Sequence, residues 1–448
     1  MREQIALINV RPIWARAPLL LLALAALAAG WYAVRWGVGD AMAEYAPFSY
    51  ATDPASSFET AESAARLAPK DPLAHLTIAR LHQASFEPEK LPRALEEYER
   101  AAALAPNDYL IWMEMGRARS ALGDKEGGVA ALRHAAELAP NYAQPRWHLG
   151  NALLRNAMER GESADEAFAE LRRAADADPT LRPQIFNLAW QVYDQNMARV
   201  IDAVGKTPAA RAELVGVLVG RGRFEDAIAV WSSLSAEEKR QQAWAGEGLA
   251  RSLYERLQFH RALQIIGESG TGAQSVLLEK ISNGGFESDI GQSGRQLFQW
   301  QVTPAPFVQV AVDARTAHGG QRSLRILFNS SGQTDFRNVW QFVAVQPSTR
   351  YRLSYFVRTN ELTSAATLVT VVSDAAAEAV ALGQSEAVPT GTNDWRQMTV
   401  DFTTGAKTEA AVVRLVRTGC PSETCPIFGK IWYDDFDLQR ADGRASSH

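Results

Sequence analysis

The chain has little cysteine, no excess charge of one sign and only one long apolar run. Two cysteines among 448 residues exclude a disulfide-dense scaffold and a four-cysteine zinc ribbon. Lys and Arg total 46 against 51 Asp and Glu, a formal net charge of −5. Phosphate backbones need a basic footprint, so no nucleic-acid partner is expected. The sequence contains no Gly-x-Ser-x-Gly elbow, no Gly-Lys-Ser/Thr phosphate loop and no His-Glu-x-x-His helix, and no catalytic activity is expected. His75 and His82 stand seven apart and read as structural histidines rather than as metal ligands. What remains is ordinary folded protein, 47% hydrophobic and 22% charged, with length for about two to four domains.

The apolar run extends from Ala17 to Val34. As a helix rising 1.5 Å per residue it reaches about 27 Å, close to the thickness of a hydrocarbon core. Arg2, Arg11 and Arg16 precede it, and Trp14, Trp31, Tyr32 and Trp36 flank its ends. Positive charge marks the inner side and aromatic belts mark the interfaces. Residues 1–16 therefore read as a short cytoplasmic segment and 17–36 as a transmembrane anchor. The bulk then lies outside, as in a single-pass bacterial inner-membrane protein facing the periplasm. Ala41-Met42-Ala43 has the composition of a signal-peptidase box, but it lies beyond the run and past Arg35. An uncleaved anchor is favoured over a cleaved signal peptide.

The middle of the chain repeats. Leu67-Ala68-Pro69, Leu104-Ala105-Pro106, Leu138-Ala139-Pro140 and Ala177-Asp178-Pro179 place prolines 37, 34 and 39 residues apart. Between Tyr109 and Pro140, Trp112, Gly116, Leu132 and Ala135 take the fourth, eighth, twenty-fourth and twenty-seventh places. Small residues let antiparallel helices approach, large ones fill the layer, and proline ends the second helix. This pattern resembles the tetratricopeptide repeat and covers residues 50–268 in about five or six units, with residues 55–68 supplying only a second helix. The resemblance implies an α-solenoid whose first helices line a groove for a protein partner. It assigns Met113, Arg117, Trp147, Asn151, Arg155, Trp190 and Tyr193 to that groove. Phe186 falls at a groove place too, with burial between irregular units equally expected.

Past a glycine-rich linker at 269–280 the register changes to short β-branched and aromatic runs, an all-β signal. Eight runs stand out between Phe307 and Leu438, enough for a jelly-roll sandwich over 281–440, with 441–448 as a tail. Its landmarks are Asn283-Gly-Gly-Phe-Glu287, His318-Gly-Gly-Gln-Arg-Ser-Leu324, Val345-Gln-Pro-Ser-Thr-Arg-Tyr351, Trp395 and Trp432-Tyr-Asp-Asp-Phe-Asp-Leu438. In this order they resemble the carbohydrate-binding-module and galactose-binding-like sandwiches. That resemblance implies a structural calcium ion held by Glu287 and Asp434. Simple alternation also places Asp434 on the core side with Phe436 and Leu438, where a carboxylate needs a cation or strong donors.

Cys420 and Cys425 enclose four residues, a spacing open to a tight bridge in an oxidising compartment or to two free thiols. For glycan contact, Trp300 and Trp340 supply ring faces and Arg337 and Asn338 supply hydrogen bonds, against the alternative that both tryptophans are core. The expected protein is a membrane-anchored scaffold in cell-envelope or exopolysaccharide assembly. The alternatives are a carbohydrate-targeting accessory of a glycoside hydrolase and a structural protein without sugar binding.

Overall fold

The computed structural model describes residues 13–85, 87–270, 276–291, 296–418, 420 and 424–441. Residues 1–12, expected to be cytoplasmic, and the tail from 442 lie outside the described residues. The chain forms two compact units, residues 1–205 and 206–448.

The first unit is helical: α1 (Ile13–Ser49), α2 (Pro54–Leu67), α3 (Pro72–Ala84), α4 (Leu91–Leu104), α5 (Tyr109–Ala121), α6 (Lys125–Leu138), α7 (Ala143–Arg160), α8 (Asp165–Ala177), α9 (Arg182–Val192) and α10 (Met197–Val204). The recurring Leu-Ala-Pro triplets stop the second helices. The alanine before each proline leaves the helical region, as at Ala68 and Ala105, because proline crowds a helical residue ahead of it. Asp71 and Asp108 then cap the next helices by accepting from the N–H groups of Leu73 and Leu110. Glycine sets the distance within each pair. A Cβ on Gly116 would lie 2.7 Å from Leu132 Cγ and 2.9 Å from Gly128 O, and Gly150 meets Leu171 in the same way.

The same device reveals the first pair, which was expected to lack its first helix. A Cβ on Gly39 would lie 2.7 Å from Ala68 Cβ, and Ala43 and Ala46 are buried. Ser57 Oγ donates to Ala46 O at 2.7 Å and Thr77 Oγ1 donates to Ala43 O at 3.2 Å. The missing helix is therefore the continuation of the apolar run. Among the described residues one helix, Ala17–Ser49, is long and apolar enough to cross a membrane, and its last turns pack as a member of the array. Farther on, α9 and α10 form a shorter pair.

The second unit begins with α11 (Pro208–Gly220), α12 (Phe224–Ser232), α13 (Ala236–Gln241), α14 (Ala243–Glu255) and α15 (Phe259–Ser269). Ten strands follow: β1 (Gln301–Val302), β2 (Val308–Asp313), β3 (Ser323–Ser330), β4 (Phe336–Ala344), β5 (Arg350–Thr363), β6 (Val369–Asp374), β7 (Ala377–Gln384), β8 (Gly391–Thr403), β9 (Ala410–Arg417) and β10 (Ile427–Arg440). They form two antiparallel sheets in the orders β1-β4-β9-β6-β7 and β2-β3-β10-β5-β8. Leu324, Ile326, Tyr351, Leu353, Val413, Leu415, Ile431 and Tyr433 fill the space between them, as period-two alternation requires. The strands not anticipated are β1, only two residues long, and β7, an alanine-rich edge.

Candidate functional site

Along the helical unit, the repeat register places its residues unevenly. Arg117 and Arg155 are exposed, and Trp147, Asn151, Trp190 and Tyr193 are half-buried. His148, between the two arginines in sequence, has its pKa lowered to about 4 by burial and then by the charges of Arg117 and Arg155. His148 is therefore neutral beside the two arginines. Arg117 donates to Glu114 at 2.7 Å, and Asn151 Nδ2 donates back to the Trp147 carbonyl at 2.8 Å.

Met113 departs from the expected groove. Its side chain is buried with Leu132, Ala135 and Leu149, filling the layer between consecutive pairs. Phe186 is likewise buried. Tyr193 packs against Phe168 in a tilted arrangement at 5.3 Å and lies under the Arg199 guanidinium at 4.8 Å.

On the sandwich, the outer face of the β4-β9-β6-β7 layer forms a groove of about 310 Å³, with Arg337, Val371, Glu378, Gln384 and Arg414 among its lining residues. The Arg414 guanidinium lies over the Trp340 ring, its carbon 5.4 Å from the centroid, and Arg414 donates to Glu378 at 2.8 Å. An aromatic face bordered by planar polar groups is the chemistry that holds a sugar ring and its hydroxyls. Arg337 lines this groove, and Trp340 borders it through Arg414.

Trp300 does not. It is 1% exposed and packs against Phe286 and Phe436 at 5.4 and 5.0 Å, because the chain entering β1 turns its side chain inward. Asn338 is occupied as well, donating to Thr303 Oγ1 and Pro304 O to secure the β1 edge. Sequence reasoning missed Arg414, Glu378 and Gln384, which come from strands β9 and β7. No local motif joins them.

The same layer carries a second feature. Tyr254 of α14 and Phe259 of α15 pack on Phe298 and Phe342 with centroids 5.0 to 6.2 Å apart. The His260 N–H donates to Glu409 Oε2 at 3.1 Å, and its ring Nε2 pairs with Val345 O at 2.8 Å. The last helical pair thus covers the Phe342 end of the sheet. A tyrosine and a phenylalanine on helices, with an outward phenylalanine on a strand, were the only signal for this.

The two acids named for calcium lie at one edge of the sandwich. Glu287 Oε1 accepts from the N–H groups of Gln321 and Arg322 at 2.8 and 3.1 Å. Asp434 Oδ2 accepts from those of His318 and Gly319 at 2.7 and 3.2 Å. A Cβ on Gly285 would lie 3.5 Å from Asp435 Oδ1, 3.8 Å from Asp434 Oδ1 and 4.0 Å from Glu287 Cγ. These are ordinary contact distances, and they place three carboxylate side chains around one glycine; an all-oxygen set matches a hard cation. Among the described residues, no three His, Cys, Asp or Glu side chains close together as a ligand set. Backbone oxygens or water would complete any coordination. Burial raises the Asp434 pKa against the opposing pull of its N–H donors.

Alternation fails at Asp434. Tyr433 and Phe436 both enter the core, and the register shifts between Asp434 and Asp437. Asp435 has a φ of +51°, so a bulge takes Asp434 off the core side while leaving it fully buried.

Cys420 and Cys425 form a disulfide with Cα atoms 5.4 Å apart. Beside it Arg417 is 0% exposed. Its guanidinium donates to the carbonyls of Thr334, Ala366 and Cys425 and to Ser364 Oγ, joining two strand ends to the bridged loop.

Residues 278–422 match the family described as "Carbohydrate binding domain". Among solved structures, the helical region is similar to MamA from Desulfovibrio magneticus RS-1, at 17% identity over 36% of this chain and 88% of that one, with a TM-score of 0.30. It is also similar to YrrB, described as a TPR protein with an unusual peptide-binding site, at 15% identity over 47% and 91%, with a TM-score of 0.25. A structure titled "CBM4 structure and function" is similar at 14% identity over 36% of this chain and 99% of that one, with a TM-score of 0.28. A search of curated proteins returned no match. The chain joins tetratricopeptide-like helical pairs to a β-sandwich of the carbohydrate-binding-domain kind.

Proposed function

We propose that the protein is a membrane-anchored scaffold of the bacterial cell envelope that binds glycan through the Trp340 groove and a protein partner through its helical array. The observation that carries this reading is the groove lined by Arg414, Glu378 and Gln384, with the Trp340 ring beside it against Arg414, within the segment that matches a carbohydrate-binding family. Both parts are of non-catalytic kinds, and the protein acts by holding polymers and proteins together during envelope or exopolysaccharide assembly. Its partner strip is Arg117, Trp147, Asn151 and Arg155, with Trp190 and Tyr193 farther along.

The test is titration of the detergent-solubilised full chain against envelope and plant polysaccharides. Binding should appear and should fall at least tenfold in Trp340→Ala, about 1.4 kcal/mol or more, with the melting temperature retained. No heat with any polymer leaves the sandwich as a packing module for α14 and α15.

The anchor reading rests on α1. Removing residues up to Ala43 by signal cleavage would strip from α2 the helix that covers Ala64 and Ala68, so the uncleaved form is the stable one. The bulk then lies in the periplasm, where a disulfide is oxidised. A phosphatase fused after His448 should be active, and a cytosolic reporter at the same place should not.

A calcium ion at Glu287 and Asp434 completes the proposal. It would offset the cost of burying Asp434, and chelation should lower the melting temperature of the sandwich. An unchanged melting curve removes the ion from the proposal.

A further inference from the structure

The segment of α1 that joins the helical array keeps one apolar side uncovered. Gly39, Ala43 and Ala46 are buried toward the array. Away from them stand Val38, Ala41, Tyr45 and Phe48, with Val38 47%, Tyr45 63% and Phe48 81% exposed. Their spacing of three, four and three residues is that of a coiled-coil seam. Continuing it backward meets Val34, Trp31, Leu27, Leu24 and Leu20, apolar at every step. Within a bilayer that run is undiagnostic, because nearly every residue there is apolar. The information lies in residues 38–48, where Asp40 and Glu44 fall off the seam.

Lipid does not account for this stripe. Phe48 follows Trp36 by twelve residues, about 18 Å of helix at 1.5 Å each. The headgroup layer beyond the hydrocarbon core is only about 5–8 Å thick on each side. Tyr45 and Phe48 therefore stand in water, where an exposed apolar stripe marks a contact surface.

We propose that a second copy of this chain covers the stripe, with the two α1 helices parallel and crossing in a left-handed seam from the membrane to Phe48. The occupant must cross the bilayer in the same direction and carry apolar residues in the same register beyond it. A second α1 meets both conditions. Glu44 flanks the seam on one side, and the flanking position facing it across a parallel pair is Ser49, so like charges do not meet. Two sandwiches per anchor pair would raise avidity for a repeating polymer without any new contact. This inference rests on the reading of α1 as the anchor.

The experiment uses the full chain in native membranes with single cysteines at Ala41→Cys, Tyr45→Cys or Phe48→Cys on the stripe and Asp40→Cys or Pro47→Cys off it. Cys420 and Cys425 are bonded to each other and leave no competing thiol. Oxidation should yield covalent dimer at the stripe positions at least tenfold above the others. Equal yields at all five positions, or no dimer at any, overturn the proposal. In detergent, wild type should sediment as a dimer and Phe48→Glu as a monomer with the same melting curve; a monomeric wild type also overturns it. Alkaline carbonate extraction is read separately. Release of the chain from membranes would sink the anchor reading, while the periodicity of cross-linking would still report on the seam.

Discussion

The helical unit and the sandwich make their polar contacts over very different sequence distances. In the array, His75 meets Glu97 across 22 residues and Arg146 meets Glu170 across 24, the reach of one helical pair. In the sandwich, His318 meets Asp434 across 116 residues and Arg417 meets Thr334 across 83. Damage to a repeat should stay near its own pair, since each pair touches chiefly its neighbours. Damage to a buried polar contact in the sandwich should weaken both sheets together.

The strongest way to sharpen that contrast is Arg417→Ala. It leaves the carbonyls of Thr334, Ala366 and Cys425 without their donor in a buried site, at a cost of about 3 kcal/mol or more. The sandwich transition should move to lower denaturant while the helical unit's transition stays in place. A uniform shift of both would break the comparison.

Gly116→Val tests the other side. Its Cβ would meet Leu132 Cγ at 2.7 Å and Gly128 O at 2.9 Å, and prying apart the α5–α6 pair should cost about 2 kcal/mol. Hydrogen exchange should rise in α5, α6 and their neighbours and remain unchanged in β3, β5 and β10.

The smallest effect is electrostatic. His75 and Glu97, both largely buried, pair at 2.6 Å. The hydrogen bond to Glu97 raises the His75 pKa. Stability from this shift is fully present below histidine's unfolded pKa and is lost as pH rises through the raised folded value. The Glu97 pKa is lowered: burial pushes it up, but the bond to His75 and the neighbouring positive charges outweigh that. Its contribution is present above the unfolded carboxylate pKa and is lost as pH falls through the lowered folded value. His75→Gln should flatten the alkaline side of the helical unit's stability profile by about 1 kcal/mol or less. A profile identical to wild type would remove the pair from the account.

Legibility followed the same division. The helices, their proline stops and the small residue at the eighth place of a unit were readable because they act within one pair. The same device at Gly39, whose contact with Ala68 marks the last turns of the apolar helix as a repeat helix, was not read, and residues 55–68 were expected to supply only a second helix. Met113 was misread because a repeat register assigns a place and not a burial: in this array its side chain falls between consecutive pairs. In the sandwich the landmark order located the strands, but Trp300 and Trp340 look alike in sequence. One turns toward Phe286 and the other toward Arg414, a choice made by the chain entering β1. Asp434 was placed by alternation, and a bulge at Asp435 undid it.

From sequence alone came the apolar helix, the order of a helical array before an all-β domain, the Cys420–Cys425 spacing and the lack of catalytic motifs. Each depends on composition or on residues within one element, where local sterics and hydrophobic periodicity decide the outcome. Only the tertiary structure decided which tryptophan faces solvent, which strands supply Arg414 and Glu378 to the groove, and that Phe342 is covered by α14 and α15. It also decided that the apolar helix continues into the first repeat. These depend on surfaces brought together from distant parts of the chain, and no local periodicity encodes which of two apolar faces will find a partner.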